Sequence, residues 1–239
     1  LYGAFGYDLI FQFEAIPFNH PRTGEEKDCH LYLPLELFVV DRMKESAVRI
    51  SYSVGQAGKM TESRPGADGR DFPLPKPQGG ADIVCDHQPA EFAGKVRRVI
   101  EGTRQGDYFE VVLSQSFSTR FESTPTALFH RMSQINPSPY MFLINLGGEH
   151  LVGTSPELFA RISGRRYETC PIAGTVKRGA TAIEDADRAL ELLASQKDES
   201  ELTMCTDVDR NDMARVCVPG SVRVIGRRQL EFYSHLIHT

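Results

Sequence analysis

The sequence predicts an α+β fold in which antiparallel sheets alternate with flanking helices. Two hairpin patterns carry that expectation. Tyr140–Asn145 and residues 150–154 flank Gly147-Gly148, and residues 158–162 and Arg166–Cys170 flank Ser163-Gly164. A third observation is that the apolar periodicity switches to helical spacing between such groups, as at Phe92, Val96, Val99 and Ile100.

Taken in order, residues 31–54 read as strands. Leu35 to Val40 is nearly continuous in apolar residues, and Val48, Ile50, Tyr52 and Val54 alternate with polar neighbours. Ten Gly and Pro residues then crowd 55–80, a composition that holds neither ladder nor helix and so reads as a connector. A helix begins at Pro89 and ends near Gly102, and Gly106-Asp107 opens a strand over 108–121. A helix over 126–135 is stopped by Pro137. Ala186, Leu190 and Leu193 mark another helix, and a further one runs from Asp198 towards Val208. The expected organisation is an N-terminal region with strands (1–54), a Pro/Gly-rich connector (55–88) and a larger domain (89–239).

A 239-residue chain buries one sizeable core or two small ones. Its formal charge of -5 provides no general attraction to nucleic acid or to an anionic membrane, so an anionic ligand must be held by local donors. No apolar run approaches the roughly 18–20 residues of a membrane helix. Five cysteines without a CxxC pair suit reduced thiols in a cytoplasmic protein better than a disulfide framework. The start at Leu1, with neither Met nor a basic leader, suggests a piece of a longer polypeptide.

The chemistry concentrates between Pro171 and Asp212. In 171–179, Pro171 stiffens the entry, Gly174 permits a positive φ or a close backbone approach, and Thr175 adds a hydroxyl beside its own N–H. Such a turn can hold a carboxylate, with Lys177 and Arg178 adding positive potential, although an ordinary surface turn has the same composition. Downstream, Asp198 and Glu201 share a face if the segment is helical. Paired carboxylates repel, and Mg²⁺, which takes one or two of them with water and substrate oxygens, relieves that repulsion. A solvated acidic face compensated by Lys197 is the plainer reading of the same residues. Asp207-Val-Asp209-Arg-Asn211 resembles the start of a calcium loop but fails, with Asp212 where Gly belongs and Val218 where Glu belongs. It reads instead as a polar network near a helix end. Glu157 follows a strand and a proline, and His238 closes a short apolar run; both are candidates for proton transfer.

Residues 153–159 (GTSPELF), 171–179 (PIAGTVKRG), 197–212 (KDESELTMCTDVDRND) and 231–238 (EFYSHLIH), in that order, resemble the chorismate-utilising enzymes. Within them the chain is most similar to the synthase component of anthranilate synthase, especially forms fused to a glutamine amidotransferase. The resemblance spans nearly the whole chain, including 6–9 and 106–117. It implies a chorismate-binding fold of the anthranilate synthase component I type, incomplete at both ends. It also implies a cytoplasmic, Mg²⁺-dependent conversion of chorismate and ammonia to anthranilate and pyruvate in tryptophan biosynthesis. Ammonia adds at ring C2 as the C4 hydroxyl leaves, and pyruvate is then eliminated.

Carried over by position, the resemblance makes Gly174 and Thr175 substrate contacts. Glu201 becomes a metal ligand, with Asp198 in a supporting role where the family commonly has Glu. Glu157 is the general acid for loss of the hydroxyl, and His238 serves the elimination. Pro139, Tyr140 and Met141 line a feedback pocket for L-tryptophan. The implied partners are a glutamine amidotransferase domain or subunit that supplies ammonia and further copies of the complete protein; neither nucleic acid nor membrane is implied. Ala173 stands where relatives making aminodeoxychorismate carry a nucleophilic Lys, and Glu110 where isochorismate-forming relatives carry a Lys base. Both favour ammonia as the nucleophile, although anthranilate synthases usually have Gln at the second position. The remaining readings are an aminodeoxyisochorismate synthase of phenazine type, which stops after amination, and a non-catalytic regulatory fragment. Other site groups of the family are expected beyond Thr239, so the 239-residue piece alone is expected to be inactive.

Overall fold

The computed structural model describes residues 1–19, 21–22, 24, 26–53 and 82–239. The expected connector at 55–88 lies outside these residues except for 82–88. Strands β1 (Tyr2–Phe5) and β2 (Cys29–Tyr32) pair with each other, as do β3 (Glu36–Asp41) and β4 (Ser46–Ser51). Strand β5 (Val84–Cys85) precedes α1 (Pro89–Gln105) and pairs with β6 (Phe117–Ser118) beyond it. Helix α2 (Pro125–Ile135) leads into the hairpin of β7 (Tyr140–Asn145) and β8 (His150–Ser155). A second hairpin joins β9 (Leu158–Ser163) to β10 (Arg166–Cys170). Then come β11 (Thr175–Lys177), α3 (Ala182–Ala194), α4 (Gln196–Val216), β12 (Glu231–Phe232) and β13 (Leu236–His238). The last sheet has the order β11-β13-β12, and every pairing among the described residues is antiparallel. The α+β expectation agrees with this architecture.

Local chemistry sets the helix ends. Thr124, Thr181 and Ser195 each accept a backbone N–H three residues on, satisfying donors that the first turns of α2, α3 and α4 leave free. Gly106 closes α1 with φ 83°, and the N–H of Asp107 returns to the Gly102 carbonyl. Helix α4 runs past its expected end to Val216, so Asp207 and Asn211 lie well inside it. Arg210 pairs with Asp207 at 3.3 Å one turn back, and no Pro intervenes before Pro219.

The expected strand over 108–121 is reduced to β6. Its sequence has strand propensity, but only Phe117 and Ser118 meet a partner strand among the described residues, and Val112 is 85% exposed. Propensity without a neighbour does not make a ladder.

Buried residues of α3, α4 and β13 gather around the end of the chain. Leu192, Leu202 and Ile237 are buried there, together with His238 and Thr239. Arg178 fastens this region. Its Nε lies 3.0 and 2.9 Å from the two Asp185 carboxylate oxygens, and Asp185 also accepts the Gly179 N–H at 2.7 Å. The same guanidinium donates to the Tyr233 carbonyl and lies over the Phe232 ring at 5.6 Å, while the Arg178 N–H donates to the His235 carbonyl. One side chain therefore ties β11 to α3 and to the β12–β13 turn.

The Arg178 guanidinium, then the Gly179 N–H, hold the Asp185 carboxyl below its ordinary value of 3.8. A depressed folded-state value stabilises the fold above the ordinary value and loses that contribution as pH falls through the lowered one. Asp185→Asn is expected to melt at a lower temperature than the wild type from pH 5 to 8. The gap should narrow only in acid below the ordinary value, as followed by circular dichroism melts across pH.

Candidate functional site

The β11–β13 ladder sets the centre of the site. Thr175 is opposite His238 and Val176 opposite Ile237, and the ladder continues as the Thr239 N–H donates to the Gly174 carbonyl at 3.1 Å. On the other edge, Glu231 of β12 is also opposite His238. The Thr175 hydroxyl and His238 Nδ1 share a hydrogen bond of 2.7 Å. His238 and Thr239 are each only 6% exposed, yet His238 Nε2 and Thr239 Oγ1 have no hydrogen-bond partner among the described residues. Buried polar atoms are seldom left unpaired, so both are available to a ligand or a water.

Gly174 has no left-handed φ; close approach is the reason for glycine here. A Cβ at this position would lie 2.8 Å from Thr239 Cγ2, 2.9 Å from Leu192 Cδ1 and 3.1 Å from Asp198 Cβ. The glycine therefore brings the first turn of α4 against the strand ends, and Asp198 beside the backbone expected to meet an anion. Arg178 does not add free positive potential to this turn, because Asp185 and the Tyr233 carbonyl occupy it.

Asp198 and Glu201 stand one turn apart at the start of α4, where the helix dipole favours negative charge. Lys197 lies 3.2 Å from Glu201 and 3.7 Å from Asp198, and Glu201, then Asp198, raise the Lys197 pKa. Its side chain is 82% exposed, so these ion pairs contribute little and a divalent cation can displace them. Among the described residues no three His, Cys, Asp or Glu side chains form a closed metal cage. Two hard carboxylates one helical turn apart still suit Mg²⁺, which needs few protein ligands. Burial, then Glu110, Glu201 and Asp209, push the Cys205 thiol up.

Glu157 is exposed just after β8, and its N–H donates to the Ser155 hydroxyl at 3.2 Å. Burial, then Glu231, raise the Cys170 thiol, with Asp209 and Glu157 adding to the effect, so Glu157 shares this electrostatic neighbourhood. A cavity of about 630 Å³ opens here, walled by Arg161, Cys170, Met213, Glu231, His238 and Thr239 among others. Leu202, Thr206, Asp209 and Met213 line it as one stripe of α4. Gly174, Thr175, Asp198, Glu201 and Glu157 are not in its wall, so of the expected site residues His238 alone lines it.

Tyr140 and Met141 open β7, with Pro139 just before it, opposite Ser155 and Thr154 of β8. Met141 faces a second cavity, shared with Tyr2, Gly3 and Tyr32 of the N-terminal strands. Two residues close to the site had no role in the sequence reading, Glu231 and Tyr233. Tyr233 donates its hydroxyl to the Glu231 carboxylate, and its ring meets His238 edge-on with centroids 5.3 Å apart. Both lie in the segment 231–238, but their placement beside His238 depends on the turn between β12 and β13.

A family model for chorismate binding enzymes matches residues 1–239. An anthranilate synthase of Azospirillum brasilense is 50% identical over 240 residues, covering 100% of this chain and 32% of its own length. Anthranilate synthase component 1 of Acetivibrio thermocellus is 32% identical, covering 99% of this chain and 51% of its own length. The crystal structure of anthranilate synthase component I from Streptococcus pneumoniae superposes with a TM-score of 0.78 at 25% identity, over 98% of this chain and 55% of that one. The chain thus spans about a third to about half of the length of these relatives.

Gly174→Ala is expected to cost about 1–3 kcal/mol of stability through overpacking against Leu192, Thr239 and Asp198. Denaturant unfolding measures that cost, and an unchanged midpoint would show that the approach is looser than the contacts imply.

Proposed function

This chain belongs to the chorismate-binding enzyme family, and on that premise we propose that it forms part of an anthranilate synthase. The polypeptide converts chorismate and ammonia to anthranilate, pyruvate and water. The observation that carries this reading is the meeting of Gly174, Thr175, Asp198 and His238 at the β11–β13 ladder, with His238 Nε2 buried and without a partner among the described residues. Fifty per cent identity to an anthranilate synthase over the full chain supports it.

In this mechanism Glu201, with Asp198 in support, would hold Mg²⁺, which when bound would supply positive charge to neutralise a substrate carboxylate. The Gly174–Thr175 backbone orients the substrate. The Glu157 carboxyl gives its proton to the C4 oxygen, which leaves as water while ammonia nitrogen adds at C2. His238 then takes the C2 proton at Nε2 as the enolpyruvyl C–O bond breaks and the ring becomes aromatic. For Nε2 to act as a base, Nδ1 must carry the proton, and the Thr175 hydroxyl can accept it. Ammonia comes from a glutamine amidotransferase, fused or separate. Pro139, Tyr140 and Met141 form one side of a tryptophan pocket, with apolar contact to the indole. The reaction belongs to the cytoplasm, and the complete protein to an oligomer.

The test uses the full polypeptide with chorismate, ammonium and Mg²⁺, following anthranilate fluorescence and pyruvate together. Amination without pyruvate would identify an aminodeoxyisochorismate synthase instead. Glu201→Gln is expected to lose about 10²-fold or more in kcat/KM, with a weakened response to Mg²⁺. Glu157→Gln and His238→Ala should each lose about 10²–10⁴-fold in kcat. Near-normal turnover in both of these would remove their assigned roles.

A further inference from the structure

Tyr233 stands between the two groups given proton transfers above, and neither transfer uses it. Its ring packs edge-on against the His238 imidazole, with centroids 5.3 Å apart and planes at 65°. Its hydroxyl donates to the Glu231 carboxylate and lies 3.5 Å from the carbonyl of Pro156, the residue before Glu157. Burial, then the Glu231 carboxylate, push the phenol far above its ordinary value, so it remains a hydrogen-bond donor throughout the neutral range.

Glu231 is the reason this donor matters. It lies directly across the ladder from His238, and both line the same cavity. Directly opposed residues have Cβ atoms about 4.5–5.5 Å apart, within reach of a carboxylate. His238 Nε2 has no partner among the described residues. A carboxylate released from Tyr233 would find an acceptor's role there, provided that the imidazole carried its proton on Nε2. Thr175 would permit that switch, because its hydroxyl can donate to Nδ1 as readily as it accepts from it. Such a switch removes the lone pair needed to take a proton from substrate.

We propose that Tyr233 is a positioning residue that retains the Glu231 carboxylate and thereby keeps the His238 Nε2 lone pair free. Its ring fixes the plane of the imidazole, and its hydroxyl lies beside the turn that carries Glu157. This inference rests on the base role proposed for His238, but the tautomer can be measured without any reaction.

The experiment is ¹⁵N NMR of the His238 imidazole in the full polypeptide above neutral pH. The wild type is expected to carry the proton on Nδ1, Tyr233→Phe on Nε2, and Tyr233→Phe with Glu231→Leu on Nδ1 again. Tyr233→Phe should also lower kcat about tenfold, a part of what a general base contributes, with KM little changed. A wild type protonated on Nε2 overturns the proposal, even if the Phe variant does not fold. So does a Phe variant with the wild-type tautomer, or a double variant that stays on Nε2. If the wild type forms no anthranilate, the functional reading fails while the tautomer series still decides the role of Tyr233.

Discussion

The hydrogen-bonded ion pair of Arg178 and Asp185 is the fastening on which the rest of this region depends. Arg178 follows β11 directly, Asp185 lies in the first turn of α3, and the same guanidinium reaches the β12–β13 turn through the Tyr233 carbonyl. Strands β12 and β13 have two and three residues, too few to hold their place by ladder bonds alone. Fixing the turn between them sets where Tyr233 begins and where His238 ends. A charge placed for structure is then unavailable for binding, and for this reason Arg178 contributes no open positive patch to the neighbouring glycine turn.

The same economy of placement applies to α4. Its first turn brings Asp198 beside the Gly174 backbone, and its next turns present Leu202, Thr206, Asp209 and Met213 to a cavity. Neighbouring positions such as 201 and 202 point about 100° apart on a helix of 3.6 residues per turn. One helix therefore supplies an acidic edge to one space and a mixed wall to another. His238 belongs to both, through Thr175 and the ladder on one side and through the cavity wall on the other.

What the sequence revealed was mostly local. Both hairpins, the start of α1 and α3 carry their signals within a few residues, in Gly147-Gly148, Ser163-Gly164, Pro89 and the spacing of Ala186, Leu190 and Leu193. Gly174 was legible as a special position, but the structure selects close approach over positive φ. The segment after Gly106 misled because a strand requires a neighbour, which propensity cannot supply. Arg178 and Asp185 are seven residues apart across a strand, a loop and a helix start, a spacing with no periodic signature. Thr175 and His238 are 63 residues apart, and their hydrogen bond exists only because β11 and β13 are adjacent. The proposed chemical roles of Glu157, Glu201 and the tryptophan-binding segment came through family resemblance; periodicity alone offered candidates without tasks.

The pairing of Tyr140 with Ser155 has a mechanical meaning. Ser155 accepts the backbone N–H of Glu157, and so it anchors the turn on which that carboxyl stands. A two-stranded ribbon yields more easily in twist than in length, because stretching breaks hydrogen bonds and twisting does not. Its two strands accordingly rotate as one body, like the two rails of a ladder. Through that ladder the turn that carries Glu157 is tied to the start of β7, at Tyr140.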